Sequence, residues 1–156
     1  MAKVYILIGK IASGKTTWAE QQEKMMLLSC DNMLLELFDG CLGDKHKETE
    51  RRCHSFLFGQ AEKLVKMDIN AALDSGFWTK SSRRSAKDYF REKGIEVVTV
   101  YFKIPDEVRK ERLQLRNARL SGSTKREFII HSDLLRKLDR DFEEPSAEEY
   151  DYIIEE

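Results

Sequence analysis

An apolar run of strand length leads directly into a segment with the order G-x-x-x-x-G-K-T, and this junction constrains the fold more than any other part of the sequence. The run covers residues 3–8, and the segment GKIASGKT follows from Gly9 to Thr16. This spacing is the phosphate-binding loop, whose glycines let the main chain curl until successive N–H groups point at phosphate oxygens. A plain strand–turn–helix would not require lysine and threonine directly after the second glycine. The junction therefore predicts a buried strand, a phosphate-binding loop and a helix that begins near Lys15.

Strand-like runs and amphipathic segments alternate along the rest of the chain, which is typical of a parallel sheet covered by helices on both faces. Five strands are predicted, at residues 3–8, 25–29, 69–73, 96–102 and 152–154. Helices are predicted at residues 15–23, through Leu34 to a stop at Asp39-Gly40, at residues 48–66, from a cap at Ser81 or Ser82 to Gly94, at residues 105–120, and after a cap at Ser132. Three- and four-residue spacing predicts that the third helix buries Cys53, Phe56, Leu57, Ala61, Leu64 and Val65. Residues 1–156 are predicted to form a single α/β domain.

The composition excludes several classes of function. The formal charge is -1 and the apolar share is 41%, values typical of a soluble protein and not of a general polyanion binder. No apolar run approaches the roughly 20 residues that cross a bilayer. Cys30, Cys41 and Cys53 lack a metal-ligand spacing and are predicted to be free thiols. We therefore expect a cytoplasmic protein without a membrane partner, either a monomer or a weak homodimer.

The phosphate-binding loop carries the chemistry that the sequence indicates most directly. Lys15 is predicted to bridge the β- and γ-phosphates of a nucleotide, and Thr16 to offer its hydroxyl to Mg²⁺. The expected cofactors are therefore ATP, with GTP left open, and Mg²⁺. The residues predicted to bind the nucleotide in this part of the chain are Gly9, Ala12, Ser13, Gly14, Lys15, Thr16 and Thr17.

Two aspartates follow the second and third predicted strands, at the edge of the sheet where open α/β folds bind their ligands. Asp31 is predicted to accept the proton of an attacking hydroxyl, with the N-cap of the following helix as the alternative role. Asp74 is predicted to bind Mg²⁺ or a water of its shell beside Thr16, or to position the acceptor itself. A turn-forming role for Asp74 before Ser75-Gly76 is the alternative. Either aspartate remains a candidate for the base.

Arginines recur on the helix that begins at Pro105, at spacings that place Arg109, Arg112, Arg116 and Arg119 along one stripe. Such a stripe can be a solvated face, but an arginine that reaches the transferred phosphoryl group accelerates phosphoryl transfer by orders of magnitude. Arg112 or Arg116, and then Arg119, are the candidates for this role. A lid is predicted at about residues 117–131, around Gly122 with Lys125 and Arg126. Arg83 is predicted either to bind an anionic substrate or to face solvent.

These features together resemble the AAA_33-type P-loop ATP-binding proteins, often described as predicted kinases. The resemblance spans nearly the whole chain and rests on the phosphate-binding loop, Asp31 after Ser-Cys, residues 73–78, the arginine-rich helix, residues 142–145 and Tyr150-Asp151. The family is similar in turn to polynucleotide 5'-hydroxyl kinases, chloramphenicol phosphotransferase and zeta toxins. The resemblance implies a three-layer α/β/α P-loop NTPase fold like that of nucleoside monophosphate kinases, with sheet order 2-3-1-4-5 and a small lid between the last two strands. It also implies that Asp31 contacts the acceptor hydroxyl.

Two positions depart from these relatives. Polynucleotide kinases carry an arginine three residues beyond the acidic residue, where this chain has Leu34, and many relatives carry Pro-Gly in place of Ile11-Ala12. The first departure disfavours a nucleic-acid partner. The expected function is an ATP-dependent kinase that acts on an unidentified, small-molecule hydroxyl acceptor. A polynucleotide 5'-hydroxyl kinase and a non-catalytic, nucleotide-binding regulatory module remain the alternatives.

Overall fold

A five-stranded parallel sheet forms the centre of the computed structural model, which describes residues 1–38, 43–75, 77–120, 136 and 139–155. The strands are β1 (Val4–Gly9), β2 (Met25–Ser29), β3 (Asn70–Asp74), β4 (Val97–Phe102) and β5 (Tyr152–Ile154). Their order is β2-β3-β1-β4-β5, and every adjacent pair is parallel. The predicted fold class and sheet order are confirmed.

Helices connect these strands and cover both faces of the sheet. They are α1 (Lys15–Glu20), α2 (Cys30–Phe38), α3 (His46–Lys66), α4 (Lys80–Arg91) and α5 (Asp106–Leu120), with a short 3-10 turn at Gly43–Lys45 before α3. Successive side chains of a strand point to opposite faces, so β1 contributes Ile6 and Ile8 to a cluster with α2, α3 and α4, whereas Leu7 packs with Ala19 of α1. The continuous apolar run in β1 therefore reflects burial on both faces.

The buried face of α3 follows the predicted spacing with one exception. Cys53, Leu57 and Ala61 are buried against the sheet, but the Phe56 side chain is exposed. Each residue advances about 100° around a helix axis, so Phe56 lies to the side of the stripe on which Leu57 lies. The prediction that Phe56 belongs to the core is wrong. Cys30 and Cys53 are free thiols, as predicted, and Cys41 lies outside the described residues.

Helix boundaries differ from the predictions at two points. The cap of α4 is Thr79, whose Oγ1 accepts a hydrogen bond from the Ser82 N–H at 3.1 Å, so neither Ser81 nor Ser82 is the cap. The first helix ends at Glu20 instead of residue 23, because the chain must turn back through Lys24, at φ 52°, to enter β2. The predicted stop at Asp39-Gly40 and the predicted cap at Ser132 lie outside the described residues.

The final segment of the chain, residues 139–155, runs beside the carboxyl ends of the strands before it adds β5 to the sheet. Its Glu143 N–H donates to the Trp78 carbonyl at 2.8 Å, and the Phe142 ring meets Trp78 edge to face at 6.0 Å. These contacts connect the segment to the loop after β3. Across the described helices, none has the length and apolar character that spanning a membrane requires.

Candidate active site

The loop between β1 and α1 forms a concave run of main-chain amides. Ala12 at φ 63° and Gly14 at φ 91° both adopt left-handed conformations, and alternation of this kind directs successive N–H groups toward one hollow. Ser13 between them is buried, and its hydroxyl has no hydrogen-bond partner among the described residues. The N-cap of α1 is Gly14, which has no side chain that could accept from the amides of the first turn.

Gly9 at the start of the loop occupies a space too small for any side chain. A Cβ atom at this position would lie 2.6 Å from Ser13 Oγ and 3.0 Å from Phe102 Cβ. Contacts under about 3 Å force neighbouring atoms to move, and here one of them belongs to the core strand β4. Gly9 is therefore required by close packing, and Gly14 by its left-handed conformation.

Lys15, Thr16 and Asp74 meet beside this loop. The Lys15 Nζ donates to the Gly9 carbonyl at 2.7 Å and lies 3.5 Å from Asp74 Oδ1. Thr16 Oγ1 lies 3.5 Å from Asp74 Oδ2. The side chains of Lys15 and Asp74 are only 12% and 15% exposed, so water screens their attraction weakly. The predicted association of Asp74 with Thr16 therefore agrees with the structure, and a turn-forming role alone does not account for it.

Asp31 lies in the first turn of α2, immediately beyond the carboxyl end of β2. The N-cap role considered for it is wrong, because Ser29 Oγ accepts the hydrogen bond from the Asn32 N–H at 3.2 Å and so caps the helix. The Asp31 carboxylate is therefore not used as the cap of α2. Surrounding protein that displaces water, together with the Asp74 carboxylate, raises the pKa of Asp31, and Lys15 partly opposes this shift. Asp31 thus shares one electrostatic environment with the phosphate-loop lysine.

The first turns of α3 complete the surroundings of Asp31. His46 Nε2 lies 3.4 Å from Glu50 Oε2, and the Cys30 thiol beside Asp31 contacts the Glu50 carbonyl at 4.0 Å. Glu50 also raises the pKa of Asp31, whereas His46 lowers it. This pair could not be predicted from the sequence, since no motif links residues 46 and 50 to Asp31. Among the described residues, no group of three or more His, Cys, Asp or Glu side chains could hold a metal ion.

The arginines of α5 do not form a uniform stripe. Arg112 Nη1 lies 3.5 Å from the Ala12 carbonyl, which places its guanidinium over the phosphate loop. Arg116 is half-buried one turn further on, and Arg119 is exposed near the end of the helix. Arg109 is fully buried, so its side chain does not belong to a solvated face of the helix. The part of the predicted lid after Leu120, with Lys125 and Arg126, lies outside the described residues.

Arg83 does not face solvent, contrary to one of its two predicted roles. It is 1% exposed, its Nε donates to Glu149 Oε1 at 3.1 Å, and its Nη1 donates to the Phe77 carbonyl at 2.9 Å. The carboxylate of the C-terminal segment therefore occupies the position that an anionic substrate would take. The sequence did not reveal the partner of Arg83, which lies 66 residues away.

A cleft of about 390 Å³ opens on the side of the loop where α1 begins. Its lining includes Ser13, Gly14, Thr17, Trp18, Gln21, Phe102, Ile104, Arg112 and Ile154. Trp18 contacts Tyr5 and Phe102 through ring pairs with centroids 6.1 and 5.8 Å apart, so it contributes to the core as well as to the cleft wall. The cleft adjoins the concave loop and is large enough for part of a nucleotide.

A protein-family model, AAA_33, described as an AAA domain, matches residues 4–145 of the chain. No curated protein sequence matches the chain. Among solved structures, Chaetomium thermophilum Kti12 in complex with ADP-AlF3 has a TM-score of 0.68 and 15% identity, over 98% of this chain and 88% of that chain. The APS kinase CysC of Mycobacterium tuberculosis, in complex with AMPPNP and APS, has a TM-score of 0.60 and 16% identity, over 99% and 88% of the two chains.

A third similar structure is that of the Pnkp1/Rnl/Hen1 RNA repair complex, with a TM-score of 0.63 and 22% identity. The match covers 90% of this chain but only 43% of that chain, so this chain spans less than half of it. At these identities the similarity concerns the fold, which is that of P-loop kinases.

Proposed function

The chain belongs to the AAA_33 family of AAA domains, and we propose that it is an ATP-dependent kinase that transfers the γ-phosphoryl group to a hydroxyl of a small molecule. One observation carries this proposal: Asp31 lies in the same electrostatic environment as Lys15 and Asp74, beside a loop shaped for phosphate. A base, a phosphate cradle and a cation ligand close to one another are the parts that phosphoryl transfer requires.

The phosphate groups are bound by the concave loop, Lys15 and the α5 arginines in this proposal. The loop amides around Ser13 would donate to phosphate oxygens, and Lys15 would bridge the β- and γ-phosphates. Arg112 lies over the loop, with Nη1 3.5 Å from the Ala12 carbonyl, and would stabilise the charge on the transferred group. The nucleoside would extend into the cleft beside Thr17 and Gln21. The Kti12 and APS kinase structures, solved with ADP-AlF3 and AMPPNP, support a nucleotide of this kind.

Thr16 and Asp74 are the residues that fit Mg²⁺. Their oxygens lie 3.5 Å apart, and Mg²⁺ in kinases binds one or two protein oxygens together with phosphate oxygens. When bound, Mg²⁺ would neutralise charge on the β- and γ-phosphates. Asp74 also holds the Lys15 ammonium beside the loop, at 3.5 Å. In this arrangement Asp74 serves the phosphate side of the site, and the proton transfer is left to Asp31.

Asp31 is the base in the proposed reaction. Its carboxylate accepts the proton of the acceptor hydroxyl as the hydroxyl oxygen bonds to the γ-phosphorus. The bond from the γ-phosphorus to the β–γ bridging oxygen then breaks, and ADP leaves with the electron pair. The raised pKa of Asp31, caused by displaced water and by Asp74, supports this role because a stronger base accepts the proton more readily.

The position three residues beyond Asp31 favours a small acceptor over a polynucleotide. Polynucleotide kinases resemble this chain but carry an arginine there, whereas Leu34 is fully buried in the core and cannot contact a nucleic-acid phosphate. The groups around Asp31 include the carboxylates of Asp74 and Glu50, which would repel a polyanion. The similarity to the RNA repair complex concerns the fold alone. We therefore propose a neutral or cationic hydroxyl compound as the acceptor.

Phosphoryl transfer from Mg·ATP in the presence of metabolite pools tests the proposal. We expect ADP formation that depends on a hydroxyl compound, and loss of transfer in Asp31→Asn with retained nucleotide binding. An oligonucleotide with a 5'-hydroxyl serves as the competing acceptor. Transfer to that oligonucleotide alone would favour a polynucleotide kinase, and nucleotide binding without transfer to any acceptor would favour a regulatory module. Equal transfer by wild type and Asp31→Asn would remove Asp31 from the mechanism.

A further inference from the structure

The Arg109 side chain is buried against the back of the phosphate loop. It is 1% exposed, and its Nη1 donates to the Ile11 carbonyl at 3.1 Å, across 98 residues of sequence. Two carboxylates hold the same guanidinium: Asp106 accepts from Nη2 at 2.6 Å, and Asp139 accepts from Nη1 at 3.2 Å and from Nη2 at 2.7 Å. A planar guanidinium bound at several points in this way cannot rotate without breaking strong hydrogen bonds.

The part of the loop that Arg109 contacts is strained. Ala12 adopts φ 63°, a left-handed conformation that costs a residue with a Cβ atom about 1–2 kcal/mol. Glycine would adopt it freely, and a proline before it would limit the alternatives, but this chain has Ile11-Ala12. Such a conformation persists only where surrounding contacts fix it. Those contacts come from α5: Arg109 binds Ile11, and Leu113 packs against Ile11 and Ala12.

We propose that Arg109 is a positioning residue that fixes Ile11 and Ala12 in the phosphate-binding conformation of the loop. The inference rests on the proposed function, since it assigns Arg109 a part in nucleotide binding through the loop. Arg109 acts on the main chain of the loop at Ile11 and is distinct from Arg112, whose Nη1 lies 3.5 Å from the Ala12 carbonyl. A preformed loop binds phosphate more tightly because less conformational freedom is lost on binding.

The two carboxylates make Arg109 a fixed anchor. Hydrogen bonds from Arg109 lower the pKa of Asp106, so this partner stays ionised well into the acid range. Burial alone would lower the pKa of Arg109, but its hydrogen bonds to Asp139 and Asp106 raise it. The Arg109 guanidinium therefore remains charged at neutral pH, beside an ionised Asp106. Removal of the guanidinium would leave Asp139 without its partner and Ile11 without its donor.

Arg83 provides a matched control. It is also 1% exposed and also pairs with a carboxylate, that of Glu149, but its main-chain acceptor is Phe77 in the loop after β3. Replacement of either arginine by glutamine removes a buried ion pair and lowers stability by a comparable mechanism. Only the replacement of Arg109 removes a donor from the phosphate loop. A difference between the two variants in the loop is therefore not explained by general destabilisation.

Backbone order parameters of the nucleotide-free protein, measured by nitrogen relaxation, test the inference without reference to activity. We expect values for Ile11 and Ala12 to fall from about 0.85 in the wild type to below about 0.6 in Arg109→Gln. Arg83→Gln should keep the wild-type values at these residues. Unchanged order in Arg109→Gln, or equal loosening in both variants, would overturn the proposal. If Arg109→Gln does not fold, Arg109→Lys gives the same comparison, because its donors lie on one nitrogen and cannot reach Ile11 and both carboxylates.

Nucleotide affinity measured by calorimetry provides the second readout. We expect Arg109→Gln to bind Mg·ATP at least about tenfold more weakly than the wild type, and Arg83→Gln to bind within about threefold of it. A loosened loop with unchanged affinity would overturn the role in binding. A wild-type protein that binds no nucleotide would contradict the proposed function instead, and the order parameters would still decide whether Arg109 fixes the loop.

Discussion

In the proposed site, the side that would bind phosphate and the side that would bind the acceptor are built in different ways. On the phosphate side, between β1 and α1, function depends on main-chain conformation, with Ala12 and Gly14 left-handed and Gly9 packed against β4. On the acceptor side, in α2 and the start of α3, function depends on side chains from separate elements, such as Asp31 and His46. The triphosphate is the same in every ATP-dependent kinase, whereas the acceptor differs. One backbone conformation is therefore suited to binding the triphosphate, whereas side chains that can differ from one kinase to another are suited to binding the acceptor.

The largest effect is expected on the phosphate side, where one residue serves binding and transfer together. Lys15→Ala should lower phosphoryl transfer by about a factor of 10³ and weaken nucleotide binding, because it removes the cation nearest the loop. Enzyme assays and calorimetry measure the two effects. Lys10→Ala is the matched control in the same loop, since its amine lies 3.8 Å from Asp106 instead of beside Asp74. If Lys15→Ala kept wild-type affinity, the assignment of this loop to a triphosphate would be wrong.

A substitution on the acceptor side should separate transfer from binding. Asp31→Asn is expected to lower kcat by about 10²-fold, with nucleotide affinity within about threefold of the wild type, because a general base contributes about 10²–10⁴ in rate. Glu36→Gln, at an exposed position on the same helix, is the control and should be silent. Loss of nucleotide affinity in Asp31→Asn would place Asp31 on the phosphate side and contradict the contrast between the two regions.

The contrast also explains which parts could be predicted from the sequence. The strands and their order followed from apolar runs and the family resemblance, and the loop followed from the fixed spacing of Gly9, Gly14 and Lys15. The proximity of Glu50 to Asp31 and the contact of Arg109 with Ile11 could not be predicted, because each joins elements far apart in the chain. A backbone motif is local and produces a regular pattern in the sequence, whereas a pocket assembled by tertiary packing produces no such pattern.

Glycine substitutions test the same contrast through stability. Gly9→Ala is expected to destabilise the protein by about 1–3 kcal/mol, because its Cβ would lie 2.6 Å from Ser13 Oγ and 3.0 Å from Phe102 Cβ. Denaturant unfolding measures the change. Because Ser13 belongs to the loop, the same variant should bind nucleotide more weakly. A Gly9→Ala protein with wild-type stability would show that the loop adapts more easily than its packing indicates.

A glycine in α3 provides the opposite case. Gly59 lies inside α3. Apart from its two chain neighbours and the nearby backbone of the same helix, no atom of the described residues comes within 4 Å of a Cβ placed there. Gly59→Ala should stabilise the protein by about 0.5–1 kcal/mol, because alanine loses less backbone entropy in a helix. Denaturant unfolding again measures the change. Destabilisation by Gly59→Ala would indicate that this helix, like the loop, depends on close backbone packing.

The smallest expected effect concerns the stability cost of Asp31. Its pKa is raised in the folded protein by displaced water and by Asp74, so the ionised form is less favourable folded than unfolded. The wild type therefore loses stability relative to Asp31→Asn as pH rises from the unfolded pKa, about 3.9, through the folded value. The gain in Asp31→Asn should be absent at lower pH and smaller at neutral pH than that of Gly59→Ala, because the protein displaces only part of the water around the Asp31 side chain and the remaining water screens its charge. The free energy of unfolding of both proteins, measured across pH, tests this prediction. A stability gain in Asp31→Asn that persisted below about pH 3.9 would have a cause other than the ionisation of Asp31. The Asp31 carboxylate thus lowers the stability of the folded protein. The proposed phosphoryl transfer nevertheless needs this carboxylate as its base, although the fold does not need it.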